Sequence, residues 1–507
     1  MISHHLLLTL PVAIPLVTLA VCALLRGHPL TQRGFSVAGS VALLVVAVAL
    51  LMAVYDGTIL ATQFGAWAAP FGISFVADLL AAVMVLVTAV MAVAISVYAL
   101  VNGARERERA FFHPLYHGLL MGVCGAFLTG DLFNLYVWFE IMLIASFGLL
   151  VVGGTRAQLD AGVKYVTLNL VATTLFLMAV GFLYGLTGTL NMADLARTLP
   201  GVENQGLVTT LAVMFLLAFG SKAALFPLFF WLPAAYHTAS APVVAIFAAL
   251  LTKVGVYAIL RSFTLIFTGD AGYTGPIIGA VAVLTMVTGV LGAAAHFDIR
   301  RILSFHIISQ IGYMLVGIAV ATPLALAGSV LYVVHHIVVK ANLFLIAGAM
   351  RLAGGSYDLK GMGGLHRSAP LLALLFAIPA LSLAGVPPLS GFWAKFVVVK
   401  SSLDAGHTVL AGVALAVGVL TLYSMVKIWN EAFWKAPVAA LDGQAEAWRA
   451  APRTRWAMLV PVAALGAITL IIGLATEPFI DFSLRAADQL LMPRAYIEAV
   501  LGQEVSP

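Results

Sequence analysis

The stretch FGSKAALFPLFFWLP, Phe219 to Pro233, sets one lysine and two prolines in an otherwise apolar run. A charge and a helix breaker are each costly inside a membrane. Their coincidence asks whether the run is a broken spanning helix, and composition answers the first half of the question. Of 507 residues, 62% are hydrophobic and only 9% are charged, against about a quarter charged in soluble domains. The sequence is that of an all-α polytopic membrane protein, with no room for a soluble domain of useful size.

A spanning helix needs roughly 20 apolar residues, and such runs between polar breaks predict about 14 spans. They lie near 4–26, 34–54, 72–101, 111–129, 133–153, 158–187, 207–239 (broken), 241–261, 273–295, 301–321, 324–350, 369–402 (broken), 407–433 and 457–477. The first run lacks a small-residue cleavage site and reads as a retained helix rather than a signal peptide. Residues 481–501 mix charge with apolar residues and read as one short amphipathic helix at the interface.

Loop Lys and Arg set the orientation. In this span scheme nearly all of them, from Arg26 and Arg33 through Arg453 and Arg455, fall on one side. Only Arg197, Arg261, Arg485 and Arg494 fall on the other. The crowded side is expected to be cytoplasmic, with both termini outside. The basic balance follows from this asymmetry and does not point to nucleic acid. Cys22 and Cys124 both lie in apolar spans and form no metal or redox motif. No P-loop, haem-attachment motif or HExxH occurs, so neither ATP hydrolysis nor electron carriage is expected, and no cofactor or metal.

Subtracting loop residues leaves Lys164, Lys222, Lys253, Lys340, Lys395, Lys400 and Lys427 inside spans, with Asp78, Glu140, Glu431, His306, His335 and His336. Each central charge costs at least about 2.5–3.5 kcal/mol and usually faces a bundle interior or a wet path. Glu140, two turns into its span, reads as a proton-path carboxylate, or else as a structural ion pair. Lys222 reads as its partner, or as a lysine that snorkels. Burial and a nearby carboxylate act oppositely on a lysine's charge, so opening a Glu140–Lys222 pair would favour release of the lysine proton. Lys253 sits too deep to snorkel. His336 and Lys340, four apart, share a helix face, and His335 points about 100° away. Histidine suits proton relay near neutrality. His306 would either extend a wet path with Ser304, Ser309 and Gln310 or satisfy the backbone of a kinked helix. Lys164 is ambiguous, Lys400 is expected to snorkel, and Lys427 is expected to pair with Glu431 at i,i+4.

The helix breaks are assigned to Pro227 and Pro233 in the seventh span and to Pro387 and Pro388 in the twelfth, where Lys395 follows within two turns. Discontinuous helices at matching positions mark inverted repeats in transporters. Five spans separate the two breaks, so spans 4–8 and 9–13 would be inverted units. Lys222 would then correspond to Lys395, and Lys253 to Lys427. The resulting divisions are 1–110, 111–262, 263–435 and 436–507.

The blocks GSKAALFPLFFWLPAAYHTASAPVVAIFAALLTKVGVYAI, HHIVVKANLFLIAG and SLAGVPPLSGFWAKF resemble the antiporter-like subunits shared by respiratory complex I and multisubunit Na⁺/H⁺ antiporters. FHIISQIGYM leans toward the Mrp-type branch, and the chain is most similar to its D-type subunits. The resemblance implies a proton path through Glu140, Lys222, Lys253, the eleventh-span histidines and Lys395. It implies Mrp partners of A, B, C, E, F and G type, protons and Na⁺ as transported ions, and a bacterial cytoplasmic membrane with its lipid as the setting. No cluster of acidic ligands for Na⁺ is apparent, so sodium is expected to pass through a partner protein. The rival within the same fold is a proton-pumping subunit of a complex I-type or hydrogenase-type redox complex. A rival of another class is a membrane scaffold with trapped ion pairs.

Overall fold

The computed structural model describes residues 4–101, 106–436, 448 and 450–502. Among these, 13 helices are long and apolar enough to cross a membrane. The twelfth span, expected to be broken at its prolines, is a pair of shorter helices, Pro370–Ala384 and Ser390–Asp404.

The chain opens with α1 (His4–Leu24) and α2 (Pro29–Val54). A two-stranded antiparallel hairpin, β1 (Leu60–Gln63) on β2 (Ser74–Ala77), precedes α3 (Leu79–Ala99). Next come α4 (Glu106–Leu128), α5 (Leu132–Val151), α6 (Arg156–Thr187) and the short α7 (Met192–Thr198). Then α8 (Gln205–Ala223) breaks into α9 (Trp231–Tyr236), and α10 (Ala241–Ile246) runs through a π-turn, Phe247–Leu251, into α11 (Thr252–Leu265). A second series follows: α12 (Ala271–Ala295), α13 (Ile299–Val320), α14 (Pro323–Gly354) and the short α15 (Leu365–Ser368). It continues with α16 (Pro370–Ala384), α17 (Ser390–Asp404) and α18 (Thr408–Trp429). The chain closes with α19 (Pro452–Leu474), α20 (Glu477–Leu491) and α21 (Arg494–Leu501).

Burial ranks these helices. The most apolar stretch of Ala241–Leu265 is wholly buried and that of α14 is 94% buried, against 33% for α2. The helices carrying Lys253, His335, His336 and Lys340 are therefore the inner ones, and α1 and α2 form a rim.

Near both ends the chain departs from the span scheme expected from sequence. The third span does not begin at 72: SFVA pairs with LATQ as a strand, and Asp78 starts the helix by accepting the Ala81 N–H at 2.8 Å. A side-chain acceptor at this position satisfies an orphan N–H of the first turn. The interfacial segment 481–501 is two helices, not one. Pro493, which has no N–H to continue α20, separates it from α21.

Both five-span series share a frame that no sequence signal announced. Asp131 caps α5 and bridges to Asn191, the cap of α7. Asp298 caps α13 and bridges to Asp358, the cap of a one-turn helix after α14. The spacing of the bridged residues is the same in both, 131 to 191 and 298 to 358.

Arg261 was expected to mark an outer loop, but α11 continues to Leu265 and Arg261 is buried. Its Nη1 lies 2.6 Å from Asp78 Oδ2, with the two side chains 5% and 3% exposed. The rings of Tyr257 and Tyr496 flank the guanidinium at 5.5 and 5.1 Å. The pair ties α3 to α11 and holds α21 against both. Removing one partner of a buried pair strands the other charge, at about 3–5 kcal/mol. Asp78→Ala should therefore lower the thermal unfolding midpoint of the detergent-solubilised protein sharply, whereas the exposed Asp56→Asn should leave it unchanged.

Candidate functional site

α8 stops at Ala223 with Ala224 left-handed (φ 61), and the Leu225 N–H returns to the Gly220 carbonyl at 2.8 Å. Pro227 lies in the linker beyond, as a break requires. Pro233 does not break the chain: it is the third residue of α9, in a first turn whose N–H groups have no intrahelical acceptor in any case. The opened backbone is re-satisfied locally. The Trp231 indole N–H donates to the Ser221 carbonyl at 2.9 Å, and the Phe226 N–H to Thr285 Oγ1 at 3.0 Å.

Lys222 occupies the last turn of α8 and is 7% exposed. It does not touch Glu140. Its ammonium donates to Asn169 Oδ1 at 3.1 Å and lies 5.7 Å over the Phe139 ring. Glu140 is half-buried, within electrostatic range of Lys222, and its Oε1 takes no hydrogen bond from the described residues. The expected contact pair is thus a charge interaction across a gap, with a neutral amide holding the lysine. A cavity of about 10 Å³ bounded by Tyr165, Asn169, Lys222, Trp231, Leu251 and Val254 has room for one water.

Lys253 follows the π-turn directly, and its Nζ donates to the Ala248 carbonyl. A π-turn displaces the regular i→i+4 ladder, which leaves a carbonyl free for the lysine. Lys340 on α14 crosses to the Leu303 carbonyl of α13 at 3.2 Å. Lys395 on α17 reaches back over the twelfth-span break. It donates to the Leu383 and Ala384 carbonyls at 2.9 and 3.0 Å. These are terminal acceptors of α16, which ends at the left-handed Gly385 (φ 94), with Pro387 and Pro388 in the linker. A cation at a helix C-terminus is favoured by both the orphan carbonyls and the dipole.

The histidines fill the space between. His335 Nδ1 shares a hydrogen bond with Ser390 Oγ at 2.8 Å, and Ser390 Oγ lies 3.0 Å from Ser382 Oγ. His336 and His306 are fully buried, and neither ring nitrogen of either has a partner among the described residues. His306 therefore does not satisfy a kinked backbone, and α13 is continuous through it. Ser309 Oγ and Gln310 Nε2 are likewise unpartnered among these residues, while Ser304 Oγ donates to the Arg300 carbonyl at 2.6 Å. Buried polar groups are rarely left unsatisfied, so these atoms mark positions for internal water. Lys340 lies within electrostatic range of Lys253 on one side and Lys395 on the other. His336 is within range of Lys253, Lys340, His335 and His306.

The remaining lysines divide differently from the expectation. Lys164 pairs with Asp160 at 2.7 Å and Lys400 with Asp404 at 2.5 Å, all half-exposed or more. Lys427 does not pair with Glu431. It donates to the Ala293, Ala294 and His296 carbonyls at the end of α12, at 3.3, 2.8 and 2.7 Å. Glu431 pairs instead with Lys435 at 3.1 Å. Orphan carbonyls at a helix end outcompete a carboxylate one turn along the same helix. Among the described residues, no group of three or more His, Cys, Asp or Glu side chains could hold a metal.

Asn169, Ser382 and Ser390 escaped the sequence reading because subtraction of charges cannot find neutral side chains. With the cap bridges known, Asn169 precedes Asn191 by the same spacing as His336 precedes Asp358.

The sequence profile of the family described as NADH:quinone oxidoreductase/Mrp antiporter, TM, matches residues 129–421. That interval holds every lysine and histidine of the site. The chain belongs to the NADH:quinone oxidoreductase/Mrp antiporter family. One member of this family, the D-type subunit of the Na(+)/H(+) antiporter of Alkalihalophilus pseudofirmus, is 48% identical over 497 residues, covering 98% of this chain and 99% of the relative. It is of the type that the sequence resembles. A chain in the Mrp complex from Dietzia sp. DQ12-45-1b superposes with a TM-score of 0.91 at 36% identity, covering 99% of this chain and all of that one. A chain of respiratory complex I from Thermus thermophilus superposes with 0.78 at 25% identity, over 96% of this chain and all of that one.

Close packing around His335 gives a direct test. A Cβ on Gly391 would collide with the Ser382 carbonyl and fall 2.9 Å from His335 Cε1, so α17 would have to move. Gly391→Ala should destabilise by about 1–3 kcal/mol, the usual cost of overpacking. Gly412→Ala, where a Cβ meets nothing within 4 Å, should be neutral in the same thermal unfolding measurement.

Proposed function

We propose that this chain is the proton-translocating subunit of a multisubunit Na⁺/H⁺ antiporter. It works as part of a secondary active transporter and not as a catalytic enzyme. The observation that carries the reading is a row of buried lysines, Lys222, Lys253, Lys340 and Lys395, each held by a neutral oxygen. A lysine with a carboxylate in contact is locked in its charged form, whereas one held by a carbonyl or amide can give up its proton.

Protons reach Lys222 from a polar pocket of about 380 Å³ lined by Asp160, Lys164, His237, His296 and Arg301. Glu140 and Lys222 act as the coupling pair across their gap. The proton then passes Lys253, His336 and Lys340, with His306 and internal water bridging the row. It leaves through His335, Ser390 and Lys395. Residues 111–262 and 263–435 act as inverted units, supported by their matched cap bridges and helix breaks. The Arg-rich side is cytoplasmic and both termini lie outside, in a bacterial cytoplasmic membrane. Sodium passes through another protein of the complex, and the partners are Mrp proteins of A, B, C, E, F and G type. This reading is supported by the name of the 48% identical relative and by the likeness to the Mrp complex.

The second reading, a proton-pumping subunit of a redox complex, is favoured by the likeness to complex I. The two part on partners, and a mutant assay separates both from a scaffold. In everted vesicles carrying the whole complex, Lys222→Ala and Lys395→Ala should each reduce Na⁺-driven proton movement at least about tenfold. All subunits should still co-purify. Intact transport with failed assembly would support the scaffold reading. Co-purification of subunits bearing iron–sulfur centres would sink the antiporter.

A further inference from the structure

An apolar crevice lies away from the lysine row. With a volume of about 300 Å³, it opens between α3, α14 and α19, beneath the end of α2 and the amphipathic α20. Tyr55 and Phe482 stand at its mouth, and Val90 and Val338 at its deep end. From Val83 to Val90 the α3 wall runs about 10 Å at the helical rise. The crevice thus reaches from the interface toward the bilayer interior, behind the α14 face opposite His336 and Lys340.

The lining offers water little, with Tyr55 and Ser483 its only polar side chains among those bounding it. The Ser483 hydroxyl is committed to the Phe479 carbonyl at 2.7 Å. Water needs two or more polar partners to occupy a cavity. An extended hydrocarbon chain does fit, and the bilayer supplies it.

The mouth carries charge as well. Arg485 lies over the Tyr55 ring at 5.0 Å and donates to the Tyr55 carbonyl. Asp56, whose carboxylate accepts the Thr58 N–H at 3.0 Å, is within electrostatic range of Arg485. A positive and a negative group side by side match a phosphate next to an ammonium.

We infer that the crevice binds one acyl chain of a zwitterionic phospholipid, with its phosphate on Arg485 and its ammonium toward Asp56. The chain seals α14 from behind and keeps water on the His336 side. The site does not depend on the transport reading.

The test uses the assembled complex in phosphatidylethanolamine vesicles. A tracer phosphatidylethanolamine carries a diazirine midway along one acyl chain. After photolysis, adducts mapped by mass spectrometry should concentrate on residues 83–90 and 331–338. They should fall about tenfold in Val87→Trp, which fills the crevice. Arg485→Gln, on the rim and away from the core, should lower them as well. An equivalent phosphatidylglycerol tracer should label these segments several-fold less. Equal labelling of wild type and both variants would overturn the site. Equal labelling by the two lipids would overturn the zwitterionic assignment, and a partner protein's helix seated in the crevice would overturn both.

Discussion

An ammonium group buried in hydrocarbon must have an oxygen acceptor, and this constraint organises the molecule. In a regular helix every interior carbonyl is already taken. The protein frees carbonyls by interrupting helices at three of its lysines, while Lys222 takes the Asn169 amide and Lys340 shares the Leu303 carbonyl of the continuous α13. A π-turn serves Lys253, the end of α16 serves Lys395, and the end of α12 serves Lys427. The breaks that looked like weaknesses in the sequence are what make buried lysines tolerable.

The choice of acceptor separates two kinds of buried cation. Arg261 cannot lose its proton, and it receives a carboxylate, Asp78, at 2.6 Å. It acts as a fixed tie among three parts of the fold. The lysines receive neutral oxygens, which hold the charged form less firmly and still accept weakly from water when the amine is neutral. In the proposed reading, structure and transport thus use the same charge with different partners. The exposed pairs Lys164–Asp160 and Lys400–Asp404 belong to neither kind, and pairs of this sort contribute little.

Much of this was legible in the sequence, because membrane insertion penalises charge so heavily that any surviving lysine stands out. The number of apolar runs and the lysines and histidines of the row follow from that penalty, and the two helix breaks from their prolines. The acceptors were not legible, since every residue has a carbonyl and only the fold decides which ones are spare. Lys427 shows this clearly: the near carboxylate of Glu431 is obvious in sequence, and the carbonyls that win come from α12. The pairing of Asp78 with Arg261 was not legible for a related reason. Asp78 read as a residue inside a span and Arg261 as a helix end, and only the packing of α3 on α11 brings them together. The β-hairpin escaped because SFVA is as apolar as the helix it precedes.

The central claim is that the lysines work by losing a proton to, and regaining it from, a path lined by neutral oxygens. Lys340→Arg tests it most directly, because arginine keeps the charge and the hydrogen-bond donors that lysine presents to the Leu303 carbonyl but cannot deprotonate. Na⁺-driven proton movement measured with the assembled complex in vesicles should be abolished, while assembly and thermal stability stay at wild-type levels. Transport that persists in Lys340→Arg at the wild-type rate would contradict the account, because proton transfer through that lysine would then be unnecessary.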